Sequence, residues 1–172
     1  MTENEKIANC KYLNTVRTNF SICCEYPILV IWTYQYLECE EVCTDNEDFD
    51  CCLLGCCFNK LGVTLLTKDE KGNVLGVDVD WHGLVYSFLL SVGNDTKWEP
   101  VLMDSVARCN EQFGGTANGY ECSVIPLSLY DVIGCSYIQN YLKCANWNPY
   151  EMPECKYTYE FASTCIDGSA FW

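Results

Sequence analysis

Apolar residues recur along much of this chain at helical intervals. The clearest run is Trp81, Leu84, Val85, Phe88, Leu89 and Val92, which steps 3,1,3,1,3 and so forms one apolar face. Asp78 or Asp80 stands where a cap belongs, and Gly93 where a helix ends. A second stripe, Trp98, Val101, Leu102, Val106, Cys109 and Phe113, predicts a helix starting near Asp95 or Thr96. Pro100 is tolerated in its first turns, and Gly114-Gly115 stops it. A third helix is expected from about Pro126 to Lys143, with Leu127, Leu129, Tyr130, Ile133, Tyr137, Ile138, Tyr141 and Leu142 apolar or aromatic. After a turn over Asn146 to Pro149, Pro153 opens a last helix reaching about Cys165.

The first half is less regular. Up to about Cys24 the charge is scattered and the helical pattern weak. Pro27 blocks a helix, and the β-branched and aromatic run Ile28 to Trp32 fits either a short strand or the start of a buried helix. Tyr36 to Cys43 reads as helical, with Cys39 and Cys43 four apart. Asn46 or Asp48 can cap a further helix from about Phe49 to Leu61, ended by Gly62. Residues 63–79 mix Gly, Asp and Lys with short apolar pieces, which predicts loop or one weak turn of helix. Within them Asp69 to Asn73 reads as a polar turn and not a calcium loop, because Lys71 stands where a ligand should. With no internal repeat and no linker, the expectation is one all-α domain over residues 1–172, of about seven to eight helices.

Composition narrows the partners. Half of the residues are hydrophobic and a fifth charged, which suits a folded core. No segment reaches 18 uncharged apolar residues, and Tyr26 to Leu37, twelve residues long, is too short and too polar to span a bilayer, so no membrane insertion is expected. A formal charge of −14 repels phosphate backbones, so nucleic acid is a poor partner. Fifteen cysteines point to an oxidising, extracellular compartment. The start, Met1 to Glu5, has no charged-then-apolar signal and reads as a mature secreted chain with an added initiator Met. Asn19 and Asn94 sit in glycosylation sequons.

Four cysteines fall within seven residues, in Cys51-Cys52-Leu53-Leu54-Gly55-Cys56-Cys57. No Cys-x2-Cys knuckle occurs, and His82 is the single histidine, so a metal site is not expected. Nor is there a thiolate–base pair, a redox motif or a Gly-x-Ser-x-Gly elbow, so neither catalysis nor a cofactor is expected. His82 reads as a helix-start or surface residue. The quartet works best as anchor points. At 100° per residue Cys52 and Cys56 lie about 40° apart on one helix face, with Cys51 and Cys57 on the flanks. Vicinal cysteines seldom pair with each other, so this helix should be a hub tied to several segments. The odd total predicts seven disulfides and one free thiol.

The cysteines and helices together resemble the insect odorant-binding proteins. The resemblance rests on Cys24-x27-Cys52, Cys52-x3-Cys56, Cys109 on a helix beginning Trp98-Glu99-Pro100, Cys135-x8-Cys144, and the phrase Cys56 to Val63. The tail pair Cys155 and Cys165 is similar to the longer Plus-C class. Residues 20–144 would form the family core, 145–165 a C-terminal extension and 166–172 a tail. Two departures stand out: the long interval between Cys56 and Cys109, and the absence of Pro directly after Cys144. The resemblance implies disulfides Cys24–Cys56, Cys52–Cys135 and Cys109–Cys144, with Cys23 almost as good a candidate as Cys24; the other nine cysteines stay unassigned.

It also implies a secreted, non-catalytic carrier of small apolar odorants around an internal cavity. Such a cavity costs stability, and bridges contributing roughly 2–4 kcal/mol each can offset it. Trp81, Leu84, Val85, Phe88, Leu89, Trp98, Leu102, Val106, Tyr130, Ile133, Tyr137 and Tyr141 would line it; the plainer alternative is that these faces pack on one another. The implied partners are a small hydrophobic volatile ligand, an odorant receptor or a second copy of the chain. The terminal Phe171 and Trp172 would cover part of the cavity mouth or meet that second copy; the plainer alternative is a disordered tail. The rival expectation is a secreted, disulfide-stapled protein-interaction module with no internal ligand cavity, which an exposed apolar patch would favour.

Overall fold

The computed structural model describes residues 23–113, 120–122, 125–144 and 153–163. Six helices and two small antiparallel sheets lie among them: α1 Thr33–Cys43, α2 Phe49–Lys60, β1 Thr64–Lys68, β2 Val74–Val79, α3 Trp81–Ser91, α4 Glu99–Phe113, β3 Tyr120–Cys122, β4 Ile125–Pro126, α5 Leu127–Leu142 and α6 Pro153–Ser163. The fold is therefore mostly helical, but not all-α.

The capping residues act as the sequence predicts. The Asp48 carboxylate accepts from the Cys51 N–H at 3.3 Å, and Asp80 from the Gly83 N–H at 3.1 Å. Gly62 and Gly93, at φ 74° and 65°, supply the left-handed turns that end α2 and α3. α1 begins three residues before the expected Tyr36, where the Gln35 side chain accepts from the Trp32 N–H at 3.2 Å. α4 begins at Glu99 instead of near Asp95, because the Asp95 carboxylate and carbonyl tie down the Lys97 and Trp98 N–H groups in a turn.

Residues 63–79, expected as loop, form a β-hairpin instead. Thr64 pairs with Val79 and Lys68 with Val74, with a bulge at Thr67/Lys68. Asp69 organises the connecting turn: its carboxylate accepts from the Lys71 and Asn73 N–H groups at 2.9 and 2.8 Å, and Gly72 sits at φ 82°. The strands are β-branched but mostly exposed, with only Thr64 and Val77 buried, so they show little apolar contrast.

Ile28 to Trp32 belongs to neither a strand nor a helix. It runs along the margin of the core as irregular chain, with Ile28, Ile31 and Trp32 exposed, and side chains meet several of the backbone groups here. Ile28 N–H donates to Ser91 Oγ at 3.0 Å and Leu29 N–H to the Tyr137 hydroxyl at 3.2 Å, while Asn140 Nδ2 donates to the Pro27 carbonyl at 3.4 Å.

The centre of the molecule is α5. Residues 132–138 are all buried, and so are Leu129, Asn140 and Tyr141. A helix covered on every side is a core element, not an amphipathic one. Around it pack α3, α4, α6 and the segment Cys23 to Tyr26. Edge-on aromatic pairs, Phe88–Tyr137 and Tyr26–Tyr141, both with centroids 5.7 Å apart, lock the layers together.

The disulfides differ from those carried over by resemblance. Cys39 pairs with Cys56 and Cys43 with Cys52, closing α1 and α2 into a helical hairpin. Four-residue spacing on both helices aligns the two pairs along one seam. Cys52 and Cys56 are thus consumed locally, and neither reaches Cys135 or Cys24. Cys24 instead joins Cys144, Cys109 joins Cys135, and Cys23 joins Cys155. All three implied pairings are overturned. Cys51 is also disulfide-bonded, and Cys57 is a free, buried thiol.

The expected turn at Asn146 to Pro149, Gly114-Gly115, the sequon at Asn19, Cys165 and the tail with Phe171 and Trp172 lie outside the described residues.

Candidate functional site

The twelve residues expected to line a cavity all lie in the hydrophobic core or against it. Leu84, Phe88, Trp98, Leu102, Val106, Ile133, Tyr137 and Tyr141 are buried in a single hydrophobic cluster; Trp81, Val85, Leu89 and Tyr130 are half-buried against it. The Tyr141 phenol is shifted above its ordinary range, first by burial and then by the neighbouring Tyr26 and Tyr159.

Three of the twelve, Trp81, Val85 and Val106, meet in an open cleft of about 210 Å³ between α3 and α4. Its remaining lining is Met103, Ala107, Asn110 and His82. The α4 contributors, Met103, Val106, Ala107 and Asn110, follow the i, i+3, i+4, i+7 step of one helix face. That step, offset from the buried stripe, was the signal available in the sequence. His82 lies exposed in the first turn of α3, as expected of a helix-start residue.

A second surface has no counterpart in the expected residues. On α1 the side chains of Tyr34, Leu37, Glu38, Glu41 and Val42 are exposed. At 100° per residue they span about 140° of the helix, on the side opposite Cys39 and Cys43. Tyr34 is 62%, Leu37 54% and Val42 75% exposed, and Trp32 at the N-cap 48%. The disulfide seam fixes which side α1 turns inward, and therefore which side it presents. Lys60 of α2 ion-pairs with Glu38 across the hairpin.

Among the described residues the one free thiol is the buried Cys57. Burial pushes the Cys57 thiol up, and nearby Lys60 only partly opposes this, so the thiolate is scarce near neutrality. Among the described residues no group of three or more His, Cys, Asp or Glu is placed to hold a metal ion, and no helix is long and apolar enough to cross a membrane.

No family model, curated protein or solved structure matches the chain.

Proposed function

We propose that this chain is a secreted, disulfide-stapled interaction module that binds partners without catalysis. The observation that carries this reading is the exposed cluster of Trp32, Tyr34, Leu37 and Val42 at α1, on a helix whose opposite side is covalently locked to α2. Large apolar side chains left exposed together on one element mark interaction sites in soluble proteins. A rigid hairpin also presents it with little ordering cost on binding. Disulfide richness supports an extracellular setting.

The carrier of small apolar odorants implied by resemblance is the second reading, favoured by the α3–α4 cleft. Its magnitude is the difficulty. Ligand pockets usually run from about 300 Å³ upward, against about 210 Å³ here. A ligand burying about 150 Å² gains only about 4 kcal/mol before association costs, which is millimolar binding at best.

One titration separates the two readings. A neutral solvatochromic dye, chosen because the chain carries −14 charge, should bind the α1 stripe. Its emission should fall in the exposed-site double variant Leu37→Ser with Val42→Ser and persist in Ala107→Phe, which fills the cleft. The opposite outcome would establish the cleft as the apolar site and return the carrier reading to first place.

A further inference from the structure

The α1 stripe carries charge as well as apolar surface. Glu38 and Glu41 lie within it, between Tyr34, Leu37 and Val42, and Glu40 is exposed beside it. Residues 25–60 hold eight carboxylates, from Glu25 to Asp50, against Lys60 alone. Half of the chain's net −14 thus falls in about a fifth of its length. Lys60 is already engaged by Glu38. The face therefore interleaves apolar and anionic side chains, with Glu38 and Glu41 on either side of Tyr34 and with Leu37 and Val42 at its two edges.

From this complementarity, and resting on the interaction reading above, we infer that the α1 face docks a cationic amphipathic helical segment of another protein. The exposed positions recur at i, i+3, i+4, i+7 and i+8, so they lie on one side of α1, where a second helix can lie alongside. α1 has eleven residues, so its axis is about 16 Å long and matches roughly three turns of partner helix. Apolar side chains of the partner would cover Leu37 and Val42, its Lys or Arg residues would meet Glu38, Glu40 and Glu41, and Trp32 would close the N-terminal end by packing over apolar or cationic groups.

Other occupants fit less well. A second copy would set two anionic faces against each other, and like charges across an interface are costly. An anionic bilayer is repelled for the same reason. The face offers only a handful of side chains, where a standard interface uses about 20–30 residues a side, so the contact is weak and transient.

The test uses the full oxidised protein and two synthetic helical peptides of about four turns. Both carry Leu at helical spacing; one is flanked by Lys and Arg, the other by Glu. Anisotropy of the labelled peptides gives Kd. The cationic peptide should bind at least about tenfold tighter than the anionic one, and its Kd should rise several-fold between low and high salt. Leu37→Ser with Val42→Ser should weaken it about five- to tenfold, and Glu38→Lys with Glu41→Lys should invert the preference. These positions are exposed, so circular dichroism should show the variants folded.

Equal binding of both peptides, lost in Leu37→Ser with Val42→Ser, would overturn the cationic partner and leave the interaction face standing. Binding indifferent to that double variant would overturn both. Capture by phosphatidylcholine vesicles with no peptide binding would also overturn the inference, with a neutral lipid surface as occupant.

Discussion

Gly83 is the position where one methyl group should do most harm. It lies in the first turn of α3, with a helical backbone that alanine adopts without strain. On propensity alone Gly83→Ala should stabilise the helix by up to about 1 kcal/mol. The packing argues the reverse. A Cβ at this position would stand 1.8 Å from the Gly62 carbonyl oxygen and 2.8 Å from its carbon, where ordinary contact is 3.4–4 Å. The obstacle is backbone, and that backbone is held from several sides. Gly62 N–H donates to Asn59 O at 3.0 Å, Val63 N–H to Phe58 O at 2.9 Å, Asp80 N–H to Val63 O at 2.8 Å and Ser87 Oγ to Leu61 O at 2.9 Å. Making room means separating α3 from the α2 terminus. Overpacking of this kind costs roughly 1–3 kcal/mol, and each hydrogen bond lost about 1 kcal/mol more. Set against the propensity gain, a net loss of about 2 kcal/mol follows, a fall in Tm of roughly 4–8 °C for a chain of this size. Gly62→Ala is the contrasting variant: it has open space around it but a φ of 74°, so its cost is conformational, about 1 kcal/mol. Thermal and urea unfolding under non-reducing conditions measure both. A Gly83→Ala protein that melts at or above the parent would show that α3 does not seat on the Gly62 carbonyl.

Three further outcomes follow from the same geometry. Because burial keeps Cys57 protonated, Ellman's reagent should leave it unreacted at pH 8 in the native protein and titrate it once guanidinium opens the core; rapid native labelling would contradict its burial. Removing the Cys23–Cys155 bridge, which spans 132 residues, with paired serine substitutions should cost about 5 kcal/mol, against about 3 kcal/mol for Cys43–Cys52, which spans nine; equal denaturation midpoints would refute the long-range pairing. Lys143 and then Arg108 hold the Asp104 carboxyl below its ordinary range, so its stabilisation is present above the unfolded carboxylate pKa and is lost as pH falls through the lower native value. Asp104→Asn should therefore unfold more easily than the parent at neutral pH and match it in acid, and a gap that persists in acid would rule this out.

Most helices were legible because their information is local. The 3,1,3,1,3 stripe from Trp81 to Val92, the Asp80 cap and Gly93 all lie within one element, and α3 forms where they place it. The β1–β2 hairpin was not legible, although Asp69, Gly72 and Asn73 are turn residues between β-branched runs. Its strands bury only Thr64 and Val77, so the period-2 signal that normally marks a half-buried strand is faint. The lining residues illustrate another limit. An apolar stripe identifies the inward side of a helix, but not whether a void or another side chain waits there. α5 places Ile133, Tyr137 and Tyr141 in the buried core, among residues of α3, α4, α6 and the segment 23–26.

The cysteines show most clearly why spacing constrains pairing so little. Cys52-x3-Cys56 requires only that two sulfurs share a helix face; it does not say what faces them. In the odorant-binding pattern those sulfurs would reach segments distant in sequence. Here Cys39-x3-Cys43 offers a second face with the same period, a short connection away, and loop closure favours the nearer partner entropically. Once α1 and α2 close on each other, Cys24, Cys109, Cys135 and Cys144 are left to pair among themselves or with the remaining cysteines, and the fold joins Cys24 to Cys144 and Cys109 to Cys135. The same closure decides what the molecule displays. Turning Cys39 and Cys43 inward turns Tyr34, Leu37, Glu38, Glu41 and Val42 outward, so the local pairing that removes the carried-over disulfides also creates the surface on which the proposed function rests.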